Sequence, residues 1–67
     1  AAANEQYRGQ TVRVLCLGRN EKNPALLEGR TDGHKLVFFQ GDDALVGNSA
    51  TVRITEPKTY FMFGEIQ

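Results

Sequence analysis

One cysteine, one histidine and one adjacent carboxylate pair are the residues of this 67-residue chain whose types could do chemistry. Cys16 follows Val12 and Val14 on the apolar side of an alternating run. A thiol in that setting behaves as a small hydrophobe rather than a nucleophile. A single cysteine forms no internal disulfide and supplies no cysteine-based zinc or iron–sulfur site. His34 follows an Asp-Gly turn and has no second histidine with which to share a metal. Asp42-Asp43 precede a short apolar stretch, where acids suit the first turn of a helical segment. Gly29-Arg30-Thr31 lacks the spacing of a phosphate-cradling loop. No catalytic constellation is present, and the chain reads as a domain that is not itself an enzyme.

Binding is better supplied. Eight Lys and Arg balance eight Asp and Glu, so net charge points to no nucleic-acid or membrane partner; only a local basic patch could supply one. Arg19 and Lys22 share one polar stretch, and Arg30 and Lys35 flank Asp32-Gly33. A two-residue turn there predicts Thr31 opposite His34 and Arg30 opposite Lys35, on one face. Like charges directly opposed cost stability unless an anion lies between them; the alternative is a pair splayed into water or neutralised by Glu28 or Asp32. The aromatic residues add to this. If Val37, Phe39, Met62 and Ile66 face the core, Phe38, Phe61 and Phe63 face outward. Single-stranded nucleic acid binds such rings by base stacking, roughly 1–3 kcal/mol per base. The alternative is that the rings pack beneath loops or against another domain.

The elements that must position these residues are strands. Seven glycines and two prolines divide the chain into short runs rich in β-branched and aromatic residues, with no sustained helical period. Strands are predicted at about Thr11–Leu17, Leu26–Thr31, His34–Gln40, Ala50–Thr55 and Tyr60–Ile66, with one helical turn over Gly41–Gly47, N-capped by Asp42. The fold class is all-β: a small five-stranded OB-like barrel with one short helical turn, an SH3-like barrel having a similar strand count. The length allows one domain, and a chain this size buries only roughly 60% of its unfolded surface. Residues 1–7 read as a lead-in or appended segment and residues 8–67 as the domain. The longest apolar run, Leu36 to Phe39, is far too short to span a membrane. An apolar strand edge on an isolated domain could pair with a second copy, so self-association is an expectation.

The series Gly9, Val14-Leu15, Gly18, Leu27-Glu28-Gly29-Arg30-Thr31, Lys35-Leu36-Val37-Phe38-Phe39-Gln40-Gly41, Leu45-Val46-Gly47, Val52-Arg53-Ile54-Thr55 and Phe63-Gly64-Glu65 resembles a TRAM domain. More narrowly, it is similar to the C-terminal TRAM domain of MiaB-type tRNA methylthiotransferases, over about residues 8–66. The resemblance implies a five-stranded OB-like barrel that binds tRNA in the cytoplasm. It implies a parent enzyme with a radical-SAM domain, 4Fe-4S clusters and S-adenosyl-L-methionine, adding a methylthio group to an adenosine beside the anticodon. None of that machinery lies in this chain, which would grip the anticodon arm without doing chemistry. RNA contact carries over to Arg30, Lys35, Phe38 and Phe63, joined by Phe61, Arg19 and Lys22 from the reading of the residues. The rival function is a docking barrel whose aromatic face packs on the neighbouring radical-SAM domain.

Overall fold

Alternating apolar and polar residues produce strands here because each short run can bury one side only by curling against its neighbours. The computed structural model describes residues 5–67. Its strands are β1 (Thr11–Arg19), β2 (Leu27–Arg30), β3 (Leu36–Gln40), β4 (Ser49–Pro57) and β5 (Phe61–Ile66). They close into a barrel in the order β1-β2-β3-β5-β4. All neighbours run antiparallel except β3 and β5, which are parallel. Closure gives every strand two partners, so the open edge through which a second copy could pair is absent among the described residues.

The core is the inner wall. Val14 and Cys16 of β1, Leu27 of β2, Val37 and Phe39 of β3, Ala50, Val52 and Ile54 of β4, and Met62 of β5 are buried. Val14, Cys16, Val37, Phe39 and Met62 lie on the sides that alternation grouped together, whereas Ile66, grouped with Met62, lies at the end of β5 and remains exposed. Two glycines mark where the interior is full. A Cβ at Gly29 would meet Val14 Cγ2 at 2.9 Å and Phe39 Cε1 at 3.0 Å, and one at Gly64 would collide with Val52 and approach the Arg53 carbonyl oxygen at 2.8 Å.

Short 3-10 turns close the ends. One, at Glu5–Tyr7, packs Tyr7 against the core, and the chain after it joins β4 through mutual bonds (Gly9 N–H to Ile54 O and Ile54 N–H to Gln10 O, both 2.8 Å). Residues 5–7 of the predicted lead-in are thus part of the fold, and residues 1–4 lie outside the described residues. The predicted helical turn is a 3-10 turn at Asp43–Leu45, whose Leu45 packs on the core. Asp42 holds the N-cap position but makes no side-chain capping bond.

The hairpin between β2 and β3 differs from the two-residue turn read from Asp32-Gly33. Arg30 pairs with Leu36 and Gly29 with Val37. Thr31 N–H donates to Lys35 O at 3.0 Å, and His34 N–H to Thr31 O at 2.9 Å. The loop therefore holds three residues, with His34 at φ 65°, the usual form when a turn is followed by a left-handed residue. One added residue moves Lys35 opposite Thr31, so strand alternation puts Arg30 and Lys35 on opposite faces.

Candidate nucleic-acid interface

Burying Val37, Phe39 and Met62 forces the side chains between them outward. The parallel register then sets Phe38 beside Phe63 and Leu36 beside Phe61. The three phenylalanine rings touch one another. Centroids lie 5.5 Å apart for Phe38–Phe61, 5.4 Å for Phe61–Phe63 and 6.0 Å for Phe38–Phe63, the first two edge-on. Such pairs contribute about 0.5–1.5 kcal/mol each beyond simple burial, so the cluster is already ordered. Each ring is half-buried, leaving part of its surface open to a ligand.

These rings form one side of an open groove of about 540 Å³, completed by Leu26, Leu36, Tyr60 and the loop residues Asn20, Lys22 and Asn23. Asparagine side chains shape that loop. Asn20 Oδ1 accepts from the N–H groups of Lys22 (2.8 Å) and Asn23 (3.0 Å), and Asn20 N–H donates to Leu26 O at 2.9 Å. Lys22 makes no ion pair among the described residues, so its ammonium at the rim is available to an anion. Tyr60 is 87% exposed at the mouth.

The other predicted contacts are distributed differently. Arg30 faces outward across from Leu15 and donates through Nη1 to His34 O at 3.1 Å. It lines a second groove of about 350 Å³ with Arg13, Leu15, Leu17, Asp32 and His34. Its pairing partner Leu36 lines the aromatic groove, so the two grooves adjoin across β2 and β3. Lys35 belongs to the opposite face. Arg19 is held in an ion pair with Asp43 at 2.7 Å. The structure thus gathers Phe38, Phe61, Phe63 and Lys22, places Arg30 next door and separates Lys35; Arg19 lines an adjoining groove of about 430 Å³ with Lys22, Glu28 and Phe38, its guanidinium turned to Asp43. Sequence reasoning missed Tyr60, Asn20 and Asn23 as groove residues. The Asn-x-x-Asn spacing was the available signal for the loop, since asparagine side chains nucleate such turns.

Cys16 lies wholly on the inner wall. Burial pushes its thiol up, against smaller opposing effects from the Gly18 N–H and the Arg19 charge. That buried thiol does not fit an iron–sulfur site, and no group of three or more His, Cys, Asp or Glu gathers among the described residues. No helix of the described residues is long and apolar enough to cross a membrane.

Residues 5–66 match the TRAM domain family. The chain is 43% identical over 63 residues to a tRNA-2-methylthio-N(6)-dimethylallyladenosine synthase of Fusobacterium nucleatum, covering 94% of this chain and 14% of that protein. It is 45% identical over 62 residues to the enzyme of the same name from Geobacillus thermodenitrificans, covering 92% and 12%. The Bacillus cereus protein of that name is 43% identical over 63 residues, covering 94% and 12%. The chain thus spans about one eighth of the length of these curated relatives. With a match over nearly its whole length and the five-stranded barrel in place, the chain belongs to the TRAM domain family.

Proposed function

We propose that this domain binds RNA on its aromatic outer wall, as the grip on the tRNA anticodon arm within a longer methylthiotransferase. In this reading that enzyme acts in the cytoplasm and adds a methylthio group to an adenosine next to the anticodon. The barrel makes and breaks no bonds itself; iron–sulfur clusters and S-adenosyl-L-methionine belong to other parts of the longer protein. The observation that carries the reading is the open triad of Phe38, Phe61 and Phe63 with Lys22 at its rim. Unpaired bases stack on the rings while cations meet phosphates. Arg30 extends the contact toward the second groove, and Lys35 serves a phosphate approaching from the hairpin end.

The test is a fluorescence-anisotropy titration of labelled anticodon stem–loop RNA against the 67-residue chain at several salt concentrations. Joint replacement of Phe61 and Phe63 by alanine is expected to weaken binding about tenfold or more with an unchanged salt slope, as for loss of stacking. Lys22→Ala with Arg30→Ala is expected to weaken binding and reduce the slope by about 0.7 per lost phosphate contact. Wild-type protein that fails to bind at low salt, or ring variants that bind normally, would overturn the reading. A second reading rests on the apolar lining supplied by Leu26, Leu36 and Tyr60: the same wall docks on the neighbouring radical-SAM domain. Ring variants that keep RNA affinity but lose interdomain association in the longer protein would favour it.

A further inference from the structure

We propose that Arg19 is a positioning residue for the RNA groove, holding the loop that carries Lys22, and does not itself contact RNA. The inference rests on the RNA reading of that groove. Arg19 ends β1, and all three of its guanidinium nitrogens donate within the protein. Nε bonds Asp43 Oδ1 at 2.7 Å, Nη1 bonds Pro24 O at 3.0 Å and Nη2 bonds Gly41 O at 3.1 Å. These acceptors lie on two segments far apart in sequence: the loop over residues 20–26, and the approach to the 3-10 turn at Asp43–Leu45.

The asparagine side-chain bonds fix the loop's local shape, and the Asn20 N–H to Leu26 O bond closes its base on the β1–β2 ladder, but neither ties the segment around Pro24 to the barrel. Apart from a long 3.5 Å contact from Asn20 Nδ2 to Glu28 Oε1, the Arg19–Pro24 bond is the side-chain tie on the loop's far limb among the described residues. Lys22, Asn23 and Leu26 of that loop form one side of the aromatic groove. Arg19 therefore fixes the wall opposite the rings. A guanidinium so engaged, with the Asp43 carboxylate against it, is a poor partner for phosphate: the carboxylate cancels its charge and repels the incoming anion.

This gives an unusual sign. If Arg19 and Asp43 acted only through charge, removing the Asp43 carboxylate would tighten RNA binding. If they act as a clamp, its removal loosens the loop and weakens binding. Arg19→Lys sharpens the contrast, because an ammonium keeps the charge but cannot reach three acceptors with the planar fork of arginine.

The experiment measures affinity for labelled anticodon stem–loop RNA against salt, together with amide hydrogen exchange at Lys22, Asn23 and Ala25. Asp43→Ala and Arg19→Lys are each expected to weaken binding about threefold to tenfold, the cost of ordering a side chain or two on binding, with the salt slope unchanged. Exchange at the three amides is expected to rise in both variants. Tighter binding by Asp43→Ala, wild-type affinity in Arg19→Lys, or unchanged exchange would overturn the proposal. Asp43 is largely exposed, so its replacement leaves the barrel folded even where an Arg19 variant does not. If the wild-type protein binds no RNA, the RNA reading of the groove falls, and exchange alone decides the clamp: faster in both variants upholds it, unchanged overturns it.

Discussion

At the scale of single residues, the informative positions are those where side-chain identity and backbone shape disagree. His34 holds a left-handed conformation at φ 65°, which costs a residue with a Cβ about 1 kcal/mol or more. His34→Gly is expected to raise stability by about 0.5–1 kcal/mol, read as a higher urea midpoint with unchanged m-value. Cys16 provides the pH signature. Its folded thiol titrates above the ordinary value of 9.0 because burial disfavours the thiolate. A raised acid pKa contributes stability that is complete below the unfolded value and is lost as pH rises through the folded one. Wild-type stability relative to Cys16→Ala should therefore fall as pH climbs above 9, measured by denaturant unfolding at matched ionic strength. The sequence made the burial of Cys16 readable, because its neighbours alternate. It did not reveal the bonding of Arg19, because its acceptors come from residues 24, 41 and 43, which only the closed fold brings together.

Among the elements, the grouping of side chains by strand face was legible and register was not. Leu36-Val37-Phe38-Phe39 is apolar on both faces, so alternation paired Val37 with Phe39 and Leu36 with Phe38 without saying which pair faces in; the barrel buries Val37 and Phe39 and leaves Phe38 outside. The hairpin was one residue longer than Asp32-Gly33 suggested, because a turn dipeptide does not distinguish a two-residue loop from a three-residue loop. That single residue separated Arg30 from Lys35. The tolerance of β5 is a second property of elements. Gly64 opposes Ile54 where Val52 and the Arg53 carbonyl fill the space. Gly64→Ala is expected to cost about 2–3 kcal/mol, as overpacking does, and to lower the melting temperature by about 10 °C or more for a domain this small. Gly33→Ala, with only the Thr31 hydroxyl near a new Cβ at 3.9 Å, is the control with little expected change.

For the molecule as a whole, closure is the decisive property. Five strands on 67 residues leave a thin core, and among the described residues nine buried hydrophobic side chains fill it, so loss of any one strand removes a large share of the interior. A chain ending at Thr59 lacks β5 and with it Met62; it should give no cooperative thermal transition by circular dichroism, whereas the 67-residue chain should give one. The barrel class was readable from strand count and glycine spacing. The strand order was not, since no local signal says that the last strand lies parallel to the third.

That order has a temporal meaning. β5 fits between β3 and β4, so the wall stays open until the last of the five strands arrives. Two of the three clustered rings, Phe61 and Phe63, travel on that same strand. On a ribosome, the earlier four strands emerge with neither a finished cylinder nor a complete ring cluster, and both come into being together when residues 61–66 clear the exit tunnel. A nascent chain cannot present the three-ring cluster on a half-built wall, because the segment that seals the fold also delivers two of the rings.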